Sequence, residues 1–207
     1  MIHCDFHIGN ILLKSNDYVS KPYISDMGLC GEVDNVDTTK IYGVIPYMAP
    51  EVLRGKPYTQ AADIYSFGMV MYFVATGRQP FADRAHDQNL ALSICNGIRP
   101  EISEKYAPKC YTDLMKRCWD PNPDNRPNAM EIKDEIDSFE RLRDSNDDND
   151  KEIKKQFEEA YEYREANLLA IKNNQTTTHP QAIYTSRLLN PYTTGLNVKI
   201  DWNDESN

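Results

Sequence analysis

Apolar residues change their spacing several times along the chain, and each change predicts an element. From Ala61 to Thr76 the run is apolar almost all round, with Asp63 its only charge. That pattern predicts a central buried helix, which Gly77 is placed to stop. Asp87 to Asn96 reads as a shorter amphipathic helix, capped by Asp87 and closed by Gly97, with Leu90 and Ile94 inward. Tyr111 to Trp119 is another, its apolar positions being Leu114, Met115, Cys118 and Trp119. Asn128 to Glu131 has capping-box spacing and opens a helix with Met130, Ile132, Ile136 and Phe139 apolar. Near the start, Ile11-Leu12-Leu13 and Pro22-Tyr23-Ile24 are of strand length, separated by a turn-like Lys14 to Lys21.

The pattern weakens after Arg143. Residues 144–150 form an acidic Asn/Asp run that reads as a linker. Lys151 to Lys172 carries Ile153, Phe157, Tyr161, Leu168 and Ile171 near helical spacing. A short helix that docks on a protein partner and a marginal solvated helix are both open readings. Gln175 to Asn207 is rich in Thr, Asn and Gln and predicts disorder. The expected organisation is a domain over 1–143, a linker over 144–150 and a tail over 151–207, helical at 151–172.

Composition narrows the function. Of 207 residues, 40 % are hydrophobic, enough for a real core. The net charge of -9 argues against non-specific nucleic-acid binding, which rests on a positive surface. The longest apolar stretch, Phe67 to Thr76, is too short to span a bilayer. No basic-then-apolar leader precedes the first motif, and the five cysteines include no C-x-x-C pair. Reduced thiols in a cytoplasmic protein, with no membrane contact, are the expectation.

The chemistry concentrates in three stretches. His3-Cys4-Asp5-Phe6-His7-Ile8-Gly9-Asn10 has the spacing H-x-D-x-x-x-x-N and runs into Ile11-Leu12-Leu13. Phosphoryl transfer needs a carboxylate to take the proton of an attacking hydroxyl, and oxygen-bearing side chains to hold the cation on the nucleotide. Asp5 and Asn10 are of those types. Ile24-Ser25-Asp26-Met27-Gly28 adds a second carboxylate before a flexible residue. Tyr47-Met48-Ala49-Pro50-Glu51 follows.

In this order and at these distances the three motifs resemble the C-terminal lobe of a eukaryotic protein kinase, nearest the tyrosine-kinase-like group of Ser/Thr kinases, over Met1 to Arg143. The resemblance implies a mainly α, α+β fold with short β-hairpins at the catalytic loop, then a partly helical, partly disordered tail. It implies transfer of the ATP γ-phosphoryl group to a hydroxyl of a protein substrate. Asp5 would be catalytic, and Asn10 and Asp26 would hold Mg²⁺ on ATP. His3 and Asp63 would support the loop, Glu51 would pair with a buried Arg126, and Gly43, Val44, Ile45, Pro46 and Tyr47 would face the substrate.

Several positions depart from the family pattern. Cys4 stands where many kinases carry an arginine for an activation-segment phosphate. His7 stands where Ser/Thr kinases usually have lysine, Met27 replaces phenylalanine, and Val44 replaces a threonine that bonds the catalytic aspartate. His3 and His7, four apart, are also open to a zinc reading. Gly31 to Ile45 reads as an activation segment, with Thr38, Thr39 and Tyr42 as its modifiable hydroxyls. Neither a G-x-G-x-x-G loop nor a V-A-x-K strand occurs. The sequence therefore reads as a fragment that is inactive alone. A non-catalytic, pseudokinase-like interaction module is the alternative.

Overall fold

The computed structural model describes residues 1–16, 19–31, 40–145, 147, 150–167 and 178–196. Its elements in chain order are β1 (Ile11–Asn16), β2 (Val19–Ile24), β3 (Tyr42–Gly43), α1 (Pro50–Leu53), α2 (Gln60–Thr76), α3 (Gln88–Cys95), α4 (Lys109–Cys118), α5 (Ala129–Asp144), α6 (Lys151–Ala166) and β4 (Arg187–Leu188), with a helical turn at Asn190–Thr193. Among the described residues no helix is long and apolar enough to cross a membrane.

Helix α2 is the axis of the molecule. The Thr59 hydroxyl caps it by accepting from the Ala62 N–H. Tyr65 and Met69 are wholly buried. Helix α4 crosses it closely at Gly68, where a β-carbon would lie 3.0 Å from Cys118 Cβ and 3.2 Å from the Met115 carbonyl oxygen. The Ser66 hydroxyl donates to the Tyr47 carbonyl oxygen at 2.7 Å and ties α2 to the turn Ile45–Tyr47.

Local signals explain the other helices. The Asp87 carboxylate accepts from the Asn89 and Leu90 N–H groups at the start of α3. Asn128 and Glu131 form the reciprocal capping box of α5. Met130 is 64 % exposed. Ile132, Ile136 and Phe139 share one face at helical spacing, and Met130 lies two residues, about 200°, from Ile132.

Three expectations are corrected. The turn read from Lys14 to Lys21 is mostly strand, because β1 and β2 pair antiparallel with Lys14 opposite Lys21. This hairpin is solvated on both faces, so charged residues sit in it as readily as Leu13, 69 % exposed. The second sheet is not a local hairpin: β3 pairs antiparallel with β4, Tyr42 opposite Leu188 and Gly43 opposite Arg187. Residues 178–196, expected to be disordered, lie on the domain and bury Leu189 and Leu196.

Helix α6 packs on the domain's own surface. Ala160 is buried, the Lys109 N–H donates to Gln156 Oε1 at 3.1 Å, and the Tyr106 and Tyr163 rings meet edge to face. Leu168 and Ile171 lie outside the described residues.

Candidate active site

The loop His3–Asn10 is held from beneath by Asp63. Its Oδ2 accepts from the His3 N–H at 2.7 Å and its Oδ1 from the Cys4 N–H at 3.2 Å. Cys4 is left-handed, with φ 68°. That backbone costs a non-glycine residue about 1 kcal/mol, which the two charge-assisted bonds offset. Burial raises the pKa of the Asp63 carboxyl, and the His3 and Cys4 donors oppose that rise. The Cys4 thiol is itself buried, and burial pushes its pKa up to about 12, so it stays neutral.

A closed network runs from His3 to Asn10. The His3 Nδ1 accepts from the Asp5 N–H at 3.3 Å, which puts the ring proton on Nε2. Nε2 then donates to the Ser25 carbonyl oxygen at 3.1 Å. The Ser25 N–H and hydroxyl both donate to the Asn10 carbonyl oxygen. Asn10 Nδ2 donates to the Asp5 carbonyl oxygen at 2.9 Å. That bond turns the amide so that Oδ1, a hard oxygen, is left for a cation. Asp5 and Asn10 are both buried.

Asp26 is held differently. It follows Ser25, is exposed, and has a left-handed backbone with φ 59°. The structure brings His3, Asp5, Asn10 and Asp63 together and sets Asp26 at the rim, without a hydrogen bond to Asp5 or Asn10 among the described residues. Met27 beside it is 48 % exposed.

His7 accepts from the Gly9 N–H at Nδ1, which directs its Nε2 proton toward Asp5 Oδ1, 3.7 Å away. Both histidines are thus committed to the loop. Among the described residues no group of three or more His, Cys, Asp or Glu side chains could hold a metal ion, so His3 and His7 find no third zinc ligand there. The magnesium reading needs only one or two protein oxygens beside nucleotide phosphates. Asn10 and Asp26 are chemically suited to that.

Gly43 stands beside Asp5. Its φ is 148°, and a β-carbon there would lie 2.5 Å from Met48 Sδ and 3.6 Å from Asp5 Oδ1. Gly43, Val44, Ile45, Pro46 and Tyr47, expected to face a substrate, are all buried. Val44, Ile45 and Tyr47 enter the main core, and the Tyr47 hydroxyl donates to Gln79 Oε1. The tail strand β4 covers the edge of β3. Thr38 and Thr39 lie outside the described residues.

Glu51 and Arg126 meet in a buried two-point pair, at 2.7 and 2.8 Å. Arg126 also donates to the Ala61 and Asp120 carbonyl oxygens and lies over the Tyr65 ring. Every guanidinium nitrogen is thereby used.

A sequence model of the protein tyrosine and serine/threonine kinase family matches residues 1–136. The chain belongs to this family. A protein of Dictyostelium discoideum named as a probable serine/threonine-protein kinase is 30 % identical over 176 residues, covering 76 % of this chain and 11 % of its own length. Human receptor-interacting serine/threonine-protein kinase 1 is 32 % identical over 179 residues, covering 76 % of this chain and 26 % of its own. The serine/threonine-protein kinase mos of Patiria pectinifera is 34 % identical over 137 residues, covering 63 % of this chain and 38 % of its own. This kinase chain thus spans a minor part of the curated relatives it matches. Protein kinases as a family phosphorylate proteins and use ATP and Mg²⁺.

Sequence reasoning missed the tail residues beside this site. The doublet Leu188-Leu189 before Asn190-Pro191 was the available signal.

Proposed function

We propose that this chain is the catalytic C-terminal lobe of a cytoplasmic Ser/Thr protein kinase of the tyrosine-kinase-like group. The observation that carries the reading is the buried network joining Asp5, His3 and Asn10 to Ser25, next to Asp26. Asp5 would take the proton of the acceptor hydroxyl as that oxygen bonds to the γ-phosphorus and the bond from the γ-phosphorus to the β,γ-bridging oxygen breaks, releasing ADP. Asn10 and Asp26 are the residues that would hold Mg²⁺. When bound, the cation neutralises charge on the nucleotide phosphates. Asp63 and His3 position the Asp5 peptide. His7 offers an imidazole N–H where Ser/Thr kinases usually carry a lysine, a weaker stabiliser of the transferring charge. The preference for Ser/Thr is supported by the names of the relatives.

The 207 residues contain no glycine-rich phosphate loop and no V-A-x-K strand. We therefore expect this polypeptide alone to bind Mg·ATP poorly and to transfer no phosphate. The rival reading is a non-catalytic interaction module. The deciding experiment joins the chain to a nucleotide-binding kinase lobe and follows ATP-dependent phosphate transfer to a protein acceptor, with Asp5→Asn as control. Transfer that disappears in the control supports catalysis. Equal transfer in both removes Asp5 from its role, and no transfer in either favours the rival.

A further inference from the structure

The tail lies on the face that the kinase reading gives to the substrate. Beyond the pairing of β3 with β4, the Leu189 N–H donates to the Ile41 carbonyl oxygen at 2.7 Å. The Ile41 N–H donates to Asn190 Oδ1 at 2.9 Å. Leu189 is wholly buried and joins the same cluster as Val44, Ile45 and Leu90. The strand therefore runs opposite Gly43, where a β-carbon would lie 3.6 Å from Asp5 Oδ1.

The attachment is continuous. The His179 N–H donates to the Ala82 carbonyl oxygen, and the His86 N–H to that of Gln181. The buried His86 ring accepts from the Ile183 N–H at Nδ1. The Tyr184 hydroxyl donates to the Pro80 carbonyl oxygen and its ring meets His86 edge to face. The Arg187 guanidinium donates to the His86 carbonyl oxygen and lies over the Tyr192 ring. Gln88 Nε2 donates to the Thr194 carbonyl oxygen. Backbone, apolar and charged contacts thus recur from 179 to 194.

We propose that the β3 edge and the Leu189 slot form a docking surface for an extended polypeptide, and that the chain's own segment 183–194 holds this surface closed as an internal competitor. The proposal rests on the kinase reading for the identity of the excluded partner, a protein substrate. A strand edge accepts one partner strand at a time. A substrate that adds to Tyr42–Gly43 must displace Arg187–Leu188, and its own apolar side chain must take the Leu189 slot. Tethering gives the internal segment a millimolar effective concentration, so a free peptide competes poorly until the tether's contacts are weakened.

The test uses the full chain and a fluorescent synthetic peptide of residues 183–196. Leu189→Asp and, as a milder change, Asn190→Ala are made separately in the full chain. Each variant is expected to bind the peptide on the order of tenfold more tightly than the unmodified chain, because its own segment competes less. A peptide carrying Leu189→Asp is expected to bind none of them. Equal binding by all three chains, or binding by none, overturns the proposal. Amide exchange at Ile41 and Leu189 gives a second readout that survives misfolding of either variant: both amides should exchange slowly in the unmodified chain, and fast exchange there overturns the proposal. Neither measurement uses ATP. Failure of phosphate transfer therefore leaves the docking claim standing, and failure of docking leaves the catalytic reading standing.

Discussion

The loop His3–Asn10 and the segment Asp26–Leu29 face one candidate centre and are held in opposite ways. The loop is buried and braced by Asp63, its strained Cys4 peptide satisfied from below. The segment is exposed, with Asp26 left-handed and Met27 and Leu29 open to solvent. The difference is one of prior order. The loop's geometry is set by folding, whereas Asp26 stands exposed with no side-chain cap hydrogen bond to the turn Met27–Leu29. The braced side continues through Glu51 and Arg126, and the open side through the hairpin β1–β2.

Substitutions sharpen or break this contrast. Glu51→Ala leaves the buried Arg126 without its carboxylate and should cost ~3–5 kcal/mol, read as a fall in the denaturant midpoint. Asp63→Ala strips acceptors from the His3 and Cys4 N–H groups and should cost about 2–3 kcal/mol, with faster amide exchange at both. On the open side, Leu13→Ser should change stability by less than about 0.5 kcal/mol, since Leu13 is 69 % exposed. Similar losses for Asp63→Ala and Leu13→Ser would erase the contrast.

The tail answers to pH more gently. Burial holds the His86 pKa below its ordinary 6.5, and the positive charges of Arg187 and His179 add to that, while the Ile183 and Phe81 backbone contacts oppose it. The Tyr184 ring is its other neighbour. A ring freed by an undocked tail takes up a proton near pH 6.5, and the docked ring only at lower pH. Docking should be at full strength above that value and weaken as pH falls through it. Exchange at the Ile183 amide should accelerate relative to the α2 amides as acid is added; docking that tightens instead would contradict this.

What the sequence disclosed follows from how local each signal is. Capping residues beside an apolar period, as at Asp87 and Asn128, mark helices within a few positions. The Asp5/Asn10 spacing marks the site because both residues serve one loop. The pairing of Tyr42 with Leu188 spans most of the chain and leaves no periodic trace in a two-residue strand. The solvated hairpin hid its length, since polar residues occupy both its faces.

The central claim is that Asn10 and Asp26 approach one nucleotide-bound cation above Asp5. In the chain joined to a nucleotide-binding kinase lobe, Mg²⁺ is replaced by paramagnetic Mn²⁺ in the presence of ATP, and the NMR signals of the Asn10 side-chain amide and the Asp26 backbone amide are recorded. The account predicts that both signals broaden together and recover when Mg²⁺ displaces Mn²⁺. Broadening of one signal without the other would contradict it.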